Sequence, residues 1–371
     1  LARFLESSEA RQRYEQEAKV LRQLMASDAG LYVIDVREPV LAKYRDELAV
    51  LTMCGRPLLP VLNFVASASH REGEWREALA RLGLHALVAF DSVAPPEDGE
   101  RRLYESLALL LERSRSQLQR LIEDHEAQRQ ARRQAGNRLI AELLIDCAAC
   151  RRSVAAQPAL EQGAISELRD AIRQREQRCV EALLRLYAFR SSDAKAADLP
   201  LLHGRWGDDL FNPETLKQLG IKVGGGMAAG AATGVGVDLL VGGITLGAAA
   251  ALGAVIGGSA QTLRNYGERL KGKLKGQREL TVDDAVLRLL ALRQQQLLAA
   301  LNVRGHAAMD AITLNAPQET LWRQGKLPAP LNVARAHPEW SSLNPGARLE
   351  EAERAEQVER LCSEIAMQLV G

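Results

Sequence analysis

The residue pattern closest to a metal site is the pair Cys147-Ala-Ala-Cys150. Two cysteine thiolates at this spacing bind zinc when two more Cys or His ligands complete a tetrahedral site. No second pair exists, no histidine lies nearby in the sequence, and Leu and Ala surround the pair in a helical pattern. We therefore expect small buried core cysteines and no metal site.

Two other features suggest chemistry at first sight. His203 and Trp206 lie in a polar linker, where we expect a histidine packed on the domain surface. The paired carboxylates Asp283-Asp284 are typical of charges at a helix N-terminus. We find no Ser/His/Asp or Cys/His arrangement typical of nucleophilic catalysis, so we assign no catalytic residue.

Polar residues also end three predicted strands. Asp35 closes the first strand, Asn63 the second, and Asp91-Ser92 the third. Each can be an ordinary strand-end residue or part of a binding site, and the pattern alone leaves both interpretations open.

The first 120 residues predict an α/β fold. Apolar runs at 31–36, 58–65 and 86–90 have strand length and do not alternate with polar residues. Such strands are typical of a parallel sheet with both faces covered. The predicted helices that separate or flank them lie at 1–25, 41–53, 72–82 and from about 100. Three strands make only half a domain with an open apolar edge, so we expect more strands before Leu1.

This order of elements resembles the second half of an Era-like P-loop GTPase. In that family the second of these strands ends in Asn-Lys-x-Asp, and the third leads into a Ser-Ala-Lys-like loop. The resemblance implies nucleotide-binding roles for Asn63, Asp91 and Ser92. It implies GTP and Mg as cofactors of the full-length protein.

The sequence departs from the GTPase pattern at two positions. Phe64 stands where a lysine would stack on guanine, and Ala66 stands where the guanine-reading aspartate belongs. The phosphate loop is also absent from the residues shown. We therefore expect no cofactor in this segment by itself, and guanine specificity stays open.

Residues 220–263 form the segment around which the chain is organised. Between Lys222 and Arg264 the only charge is Asp238, and Gly and Ala predominate. The dipeptide Gly242-Gly243 divides the segment into two arms, which predicts a helical hairpin. Glycines at every fourth position let helices approach closely. The residues that we expect to contact a membrane are Gly226, Gly230, Gly234, Leu239, Leu240, Ile244, Leu246, Leu252 and Ile256.

Basic residues flank this segment on both sides, with Lys217 and Lys222 before it and six Lys or Arg between 264 and 278. The positive-inside rule then keeps both ends at the cytoplasmic face of a bacterial inner membrane. The same small residues suit the buried centre of a soluble helical domain, which would make the protein cytoplasmic. The weak apolarity of both arms leaves a third alternative open, which is reversible exposure.

More narrowly, the chain resembles the bacterial GTPase family whose C-terminal region is catalogued as domain of unknown function 3482. The residues that carry this resemblance are 31–36, 60–65, 83–92 and 224–258. We divide the chain into a GTPase-like half domain, a long helical region, a linker with an entry helix, the hairpin and a C-terminal helical region. These segments span residues 1–118, 119–190, 191–219, 220–263 and 264–371 respectively.

The composition of the chain argues against nucleic acid as a partner. The formal net charge is +1 and aromatic residues make up 4% of the chain, so neither a basic field nor a base-stacking surface indicates nucleic acid. We expect a membrane surface as partner, with a protein partner or self-association through the small-residue helix faces. The leading hypothesis is a membrane-associated GTP-binding protein. The alternatives are a soluble helical scaffold with a degenerate nucleotide domain and a pore-forming hairpin protein.

Overall fold

The computed structural model describes residues 1–92, 96, 98–189, 206, 209–212, 237–240, 277–303, 322 and 326–367. The chain divides into two compact units. The first comprises residues 1–130 with 303–309, and the second comprises residues 131–302 with 310–371. The predicted α/β region lies in the first unit, and most of the predicted helical region lies in the second.

The first unit alternates helices and strands in the predicted order. Its strands are β1 (Gly30–Asp35), β2 (Leu58–Asn63) and β3 (Val88–Ala89). Its helices are α1 (Ala2–Glu6), α2 (Glu15–Ala26), α3 (Ala42–Thr52), α4 (Glu72–Arg81) and α5 (Gly99–Leu110), with 3-10 turns at Glu9–Arg11 and Glu112–Ser114. The prediction of one helix over 1–25 is wrong, because Ser7 bonds locally. Its hydroxyl donates to the Phe4 carbonyl and accepts from the Ala10 N–H, in competition with helical bonding.

The three strands form a parallel sheet, as predicted, and their order is β1-β2-β3. One face packs against α3 and α4, and the other packs against α5 over β2 and β3. The buried residues of the first face are Ile34, Val36, Leu48, Leu62, Trp75 and Leu79, and those of the second are Leu59, Val61 and Val88. Each fully buried Leu or Val stabilises such a fold by roughly 1.5–3 kcal/mol.

Strand β1 is less covered than its neighbours. It lies at the edge of the sheet, and Leu31 and Val33 are 51% and 63% exposed. Both residues are in register with the buried Leu59 and Val61 of β2 and share their face of the sheet. An apolar strip therefore stays open beside the part of this face that α5 covers.

The second unit is mainly helical. Helix α6 (Arg115–Ala149) begins in the first unit and continues into the second. The described elements that follow are β4 (Arg151–Ala155), α7 (Pro158–Leu186), β5 (Val237–Leu240), β6 (Gln277–Val282), α8 (Asp284–Val303), α9 (Ala329–Ala334), a 3-10 turn at Pro338–Trp340 and α10 (Ala352–Met367). The four prolines between residues 327 and 346 predict a loop, but this segment contains a short helix and a turn.

The sequence Ala135-Gly136-Asn137 predicts a break in the long helical region, and this prediction is wrong because α6 continues through it. Gly136 lies inside a continuous helix, and a Cβ atom there would lie 2.6 Å from Cδ1 of Leu298 in α8. The glycine therefore serves close packing of two helices. Its conformational freedom, which suggested a break, is not used.

Strands β4, β6 and β5 form an antiparallel sheet in that order, with β6 in the centre. Strand β5 corrects the hairpin prediction, because Val237–Leu240 is extended and pairs with residues 279–282 of β6. The periodicity of a short apolar run does not distinguish a helix from a strand. Here the backbone pairing with β6 identifies the run as a strand. Leu239 and Leu240 are therefore strand residues. The rest of the predicted hairpin lies outside the described residues.

Arg278 also differs from its predicted role as a flanking cation. It lies in β6, and its Nη1 is 3.0 Å from Glu161 Oε1 of α7. Glu161 is 6% exposed. This guanidinium therefore neutralises a buried carboxylate of the second unit.

The core of the second unit contains side chains from α6, α7, α8 and α10. Cys147, Cys150 and Cys179 are among them and are at most 2% exposed, as expected from the sequence. Burial raises the pKa of the Cys150 thiol to about 11. This thiol therefore stays protonated at neutral pH and packs as a small apolar group.

Candidate functional site

The carboxyl ends of β1, β2 and β3 bring the predicted nucleotide-binding residues together. Asn63 ends β2, and its side-chain Oδ1 accepts two backbone hydrogen bonds. One comes from the Phe64 N–H at 2.9 Å and the other from the Ser92 N–H at 2.8 Å. One amide oxygen thus holds the loop after β2 and the loop after β3 against each other.

Asp91 makes the reciprocal connection. Its Oδ2 accepts the Ala66 N–H at 3.0 Å, so a side chain after β3 holds the backbone after β2. Asp91 is 3% exposed. A buried side chain that accepts a backbone N–H from another loop holds the two loops together, because a buried donor left without its acceptor is costly.

An arginine occupies the loop after β1. Arg37 donates to both oxygens of Asp35, with Nε to Oδ1 at 2.9 Å and Nη2 to Oδ2 at 2.7 Å. The hydrogen bonds from Arg37 lower the pKa of Asp35 below its ordinary value. The guanidinium also lies 3.9 Å from the centre of the Phe64 ring. This is a cation–π contact, which planar guanidinium groups favour.

Phe64 itself has φ = 63°, in the left-handed region of backbone conformation that residues other than Gly or Asn seldom adopt. The hydrogen bond from its N–H to Asn63 and the stacked Arg37 compensate for this conformation. Unusual backbone geometry of this kind clusters at binding sites. The loop after β2 therefore presents a fixed aromatic ring and a fixed cation at the carboxyl edge of the sheet.

The polar side chains at this edge of the sheet differ in which of their polar atoms are hydrogen-bonded. The Asn63 Nδ2 group has no hydrogen-bond partner among the residues that the structure describes, whereas its Oδ1 is fully used. Asp35 is paired with Arg37, and Asp91 holds the Ala66 N–H. In the described part of the chain, no group of three or more His, Cys, Asp or Glu side chains is arranged to hold a metal ion.

The residues predicted to contact a membrane are placed only in part. Leu239 and Leu240 lie in β5. Gly226, Gly230, Gly234, Ile244, Leu246, Leu252 and Ile256 fall outside the described ranges. Where the structure describes helices, none combines the length and the apolar character that crossing a bilayer requires.

A buried polar cluster in the second unit escaped prediction. Asp146 in α6 is 2% exposed and accepts four hydrogen bonds. The donors are Nε of Arg175 at 2.5 Å, Oγ of Ser341 at 3.1 Å, the Ser342 N–H at 2.6 Å and the Ser342 Oγ at 2.7 Å. We call these four residues the Asp146 cluster. The sequence contains only a weak sign of this cluster. Asp146 is a single carboxylate in an apolar run, and a buried carboxylate needs hydrogen-bond partners.

The comparisons with known proteins give one match. The sequence model of the family described as domain of unknown function (DUF3482) matches residues 76–363, which is well over half of the chain. The match includes Asp91 and Ser92 and begins after Asn63. Searches of curated proteins and of solved structures gave no match. The chain belongs to the DUF3482 family.

Proposed function

We propose that the chain belongs to a membrane-associated GTP-binding protein, in which the nucleotide state of the first unit controls the second. The observation that carries this proposal is the meeting of Asn63, Asp91 and Ser92 at the carboxyl edge of a parallel sheet. Ligands of open α/β sheets bind outside this edge. The arrangement also fits the resemblance to Era-like GTPases.

The uncovered edge of β1 supports the same proposal. Leu31 and Val33 expose apolar surface, and β1 has no partner on its outer side among the described residues. A further parallel strand that carries a phosphate loop would pair with this edge. GTP phosphates and Mg would then be held by that strand, and residues after β2 and β3 would face the base.

The loop after β2 suits a purine more clearly than it suits guanine alone. The free Nδ2 of Asn63 can donate to a ring nitrogen, and the Arg37 and Phe64 pair gives a stacking surface. Ala66 carries no carboxylate to accept hydrogen bonds from the guanine edge. We therefore expect weaker preference for GTP over ATP than a site with aspartate at this position has.

Titration of the full-length protein with fluorescent GTP and ATP analogues tests nucleotide binding. Asn63→Ala should weaken binding at least about tenfold, because it removes the group that fixes both loops, a loss of roughly 1.4 kcal/mol. Ser106→Ala in α5 is the matched control, since it also removes one side-chain hydrogen bond in the first unit. Equal affinity in the two variants, or no affinity in the parent protein, would refute the proposal.

Ala66→Asp provides a gain-of-function test. Ala66 is exposed, so the substitution is compatible with the fold. If the loop reads a base as proposed, the new carboxylate should raise affinity for the GTP analogue and leave that for the ATP analogue unchanged. An equal change for both analogues would show that the loop does not face the base.

Liposome flotation tests the membrane part. Deletion of 221–263 would also remove β5, so the combined substitution Leu252→Glu and Ile256→Glu gives a cleaner test. These changes should abolish flotation, because charged residues oppose entry into hydrocarbon by roughly 2.5–3.5 kcal/mol each. Leu109→Glu is the control, since Leu109 is 75% exposed in α5. Unchanged flotation of the double variant would exclude a membrane role for this segment.

One observation favours a second candidate, a soluble helical scaffold. Val237–Leu240, inside the proposed membrane segment, pairs with β6 in the second unit. A scaffold of this kind predicts no affinity for GTP or ATP and no flotation. The two assays above therefore distinguish the candidates.

A further inference from the structure

A groove opens in the second unit between β4 and the segment 338–348. Its volume is about 770 Å³, which is within the range of sites for small ligands. Three arginines line it, Arg151, Arg152 and Arg348, against one carboxylate, that of Glu339. We call it the β4 groove.

One wall of the β4 groove is held rigidly. Asn344 donates from Nδ2 to the carbonyls of Ala149 and Pro338, and its Oδ1 accepts the Arg151 N–H at 3.0 Å. The preceding residues Ser341 and Ser342 bond to buried Asp146. The wall is thus preorganised, which reduces the entropic cost of binding a ligand.

The three arginines differ in how their charges are balanced. Arg151 is 3.2 Å from the carboxylate of Glu279, and Arg348 is 3.6 Å from that of Glu351. Arg152 donates instead to neutral oxygens, from Nη1 to Arg151 O at 2.9 Å and to Asn344 Oδ1 at 3.0 Å, and from Nη2 to Leu343 O at 2.7 Å. No carboxylate pairs with Arg152 within the described ranges. The groove therefore holds a positioned guanidinium whose charge is not neutralised by a neighbouring acid.

Glu339 does not supply that neutralisation. Its Oε1 is 2.9 Å from Nδ1 of His337, whose ring stacks on Trp340 with centroids 4.2 Å apart. This carboxylate is therefore held towards His337.

Strand geometry adds a backbone donor to the β4 groove. The Arg151 N–H donates to Asn344 and so points away from β6. Because alternate residues of an antiparallel strand point their N–H groups to the same side, the Ser153 N–H also points to this outer edge. Neither this N–H nor the exposed Ser153 hydroxyl has a partner in the part of the chain that the structure describes.

We propose that the β4 groove binds a phosphate group. The donors are Arg152, Arg348 and the N–H and hydroxyl of Ser153, which together offer more hydrogen bonds than the two oxygens of a carboxylate can accept. Guanidinium forks and backbone N–H groups are the usual donors to phosphate oxygens. The phosphate belongs either to a soluble metabolite or to the headgroup of an anionic lipid, and both present the same chemistry.

Isothermal titration of the full-length protein with inorganic phosphate at low ionic strength tests the site. Arg348→Glu and Ser153→Asp each place a carboxylate in the groove and should weaken phosphate binding at least about tenfold. Both residues are exposed, so the variants should fold, which thermal unfolding checks. Arg360→Glu, at an equally exposed arginine of α10, should bind like the parent protein.

Three results would overturn the proposal. They are no phosphate binding by the parent protein, equal binding by all variants, and equal binding of acetate. The site lies in the second unit and does not depend on the proposed nucleotide function. Phosphate that binds in the first unit instead would bind equally to the parent protein and to all variants, which is the second of these results.

Flotation with phosphatidylglycerol vesicles, and with phosphatidylcholine vesicles as reference, identifies the source of the phosphate. If Arg348→Glu and Ser153→Asp lose both phosphate binding and flotation, the groove binds lipid headgroups. If they lose phosphate binding and float like the parent protein, the ligand is soluble. Either pattern supports the groove as a phosphate site.

Discussion

The parallel sheet of the first unit and the antiparallel sheet of the second use polar side chains in opposite ways. At the carboxyl edge of the first sheet, Asn63 and Asp91 bond to backbone N–H groups of neighbouring loops. In the second unit, Asp146 and Glu176 are buried in the helical core and bond mainly to side chains of other helices and segments. The first pattern shapes a surface, whereas the second holds an interior together.

This difference separates variants that should change binding from variants that should change folding. A buried charge with lost partners costs several kcal/mol, whereas a loop hydrogen bond contributes about 1 kcal/mol. We therefore expect the stability of the protein to depend most on the second unit. Four predictions sharpen this comparison.

The largest effect should come from Asp146→Ala. It removes the acceptor of four hydrogen bonds and leaves Arg175, a side chain 15% exposed, without its carboxylate. We expect the free energy of unfolding to fall by about 3–5 kcal/mol, measured by urea denaturation. Asp170→Ala is the control, because Asp170 is 59% exposed and its ion pair with Arg173 lies at the surface. A loss for Asp146→Ala no larger than that of the control would contradict the role of the Asp146 cluster.

The next effect depends on pH. Burial raises the pKa of Glu176 to about 7, although Arg293 opposes the rise. The folded protein thus binds a proton that the unfolded chain releases near pH 4.5, so stability falls as pH rises from about 4.5 through 7. Glu176→Gln keeps the shape of the side chain and stays neutral at every pH. It should reduce the pH-dependent fall in the free energy of unfolding by up to about 3 kcal/mol.

Thermal unfolding of both proteins from pH 4.5 to 8 measures the effect. All other titrating groups contribute to both curves, so the difference between the curves reports Glu176. Parallel curves would show that Glu176 keeps an ordinary pKa.

A third prediction concerns the contact of α6 with α8. Gly136→Ala should destabilise the second unit by about 1–3 kcal/mol, because the new methyl group overlaps the buried Leu298 side chain. Gly163→Ala in α7 is the matched control, since no atom lies within 4 Å of a Cβ there. It should stabilise by about 0.5–1 kcal/mol through helix propensity.

Leu298→Ala in the Gly136→Ala background tests the cause. Leu298→Ala removes the side chain that the new methyl group overlaps. It should therefore lower the free energy of unfolding less in the Gly136→Ala background than in the parent protein, and a double-mutant cycle measures this coupling. If the effects of the two substitutions simply added, the destabilisation by Gly136→Ala would not come from overlap with Leu298.

The smallest effect should come from the first unit. Asn63→Ala should lower the free energy of unfolding by about 1–2 kcal/mol, because the Phe64 and Ser92 N–H groups lose their acceptor. Asn63→Asp keeps an oxygen acceptor and should cost less in the same urea titration. If Asn63→Ala proved as costly as Asp146→Ala, the contrast between surface and interior would fail.

Sequence patterns predicted the first unit well because its signals are local. Short apolar runs ended by Asp, Asn or Gly mark β1 and β2 to within two residues, and the alternation with helices indicated the parallel sheet. The residue types at 63, 91 and 92 also indicated the candidate site. The left-handed Phe64 and the Arg37 stacked on it were not predictable, because they depend on loop geometry.

The second unit was predicted less well because its determinants are far apart in the sequence. Arg151–Ala155 and Val237–Leu240 become strands through pairing with β6, which no local pattern reveals. Gly136 resembles a helix break until Leu298 is placed beside it. The partners of Asp146 lie up to 196 residues away, so the cluster could not be assembled from spacing.

The Asp146 cluster also has a consequence for biosynthesis. Ser341 emerges from the ribosome 195 residues after Asp146, a delay of roughly 10–40 s at translation rates of 5–20 residues per second. During this time the carboxylate lacks the C-terminal donors that make its burial favourable. We therefore expect the nascent helical region to stay incompletely packed and to bind chaperones until residues 341–342 have left the ribosome.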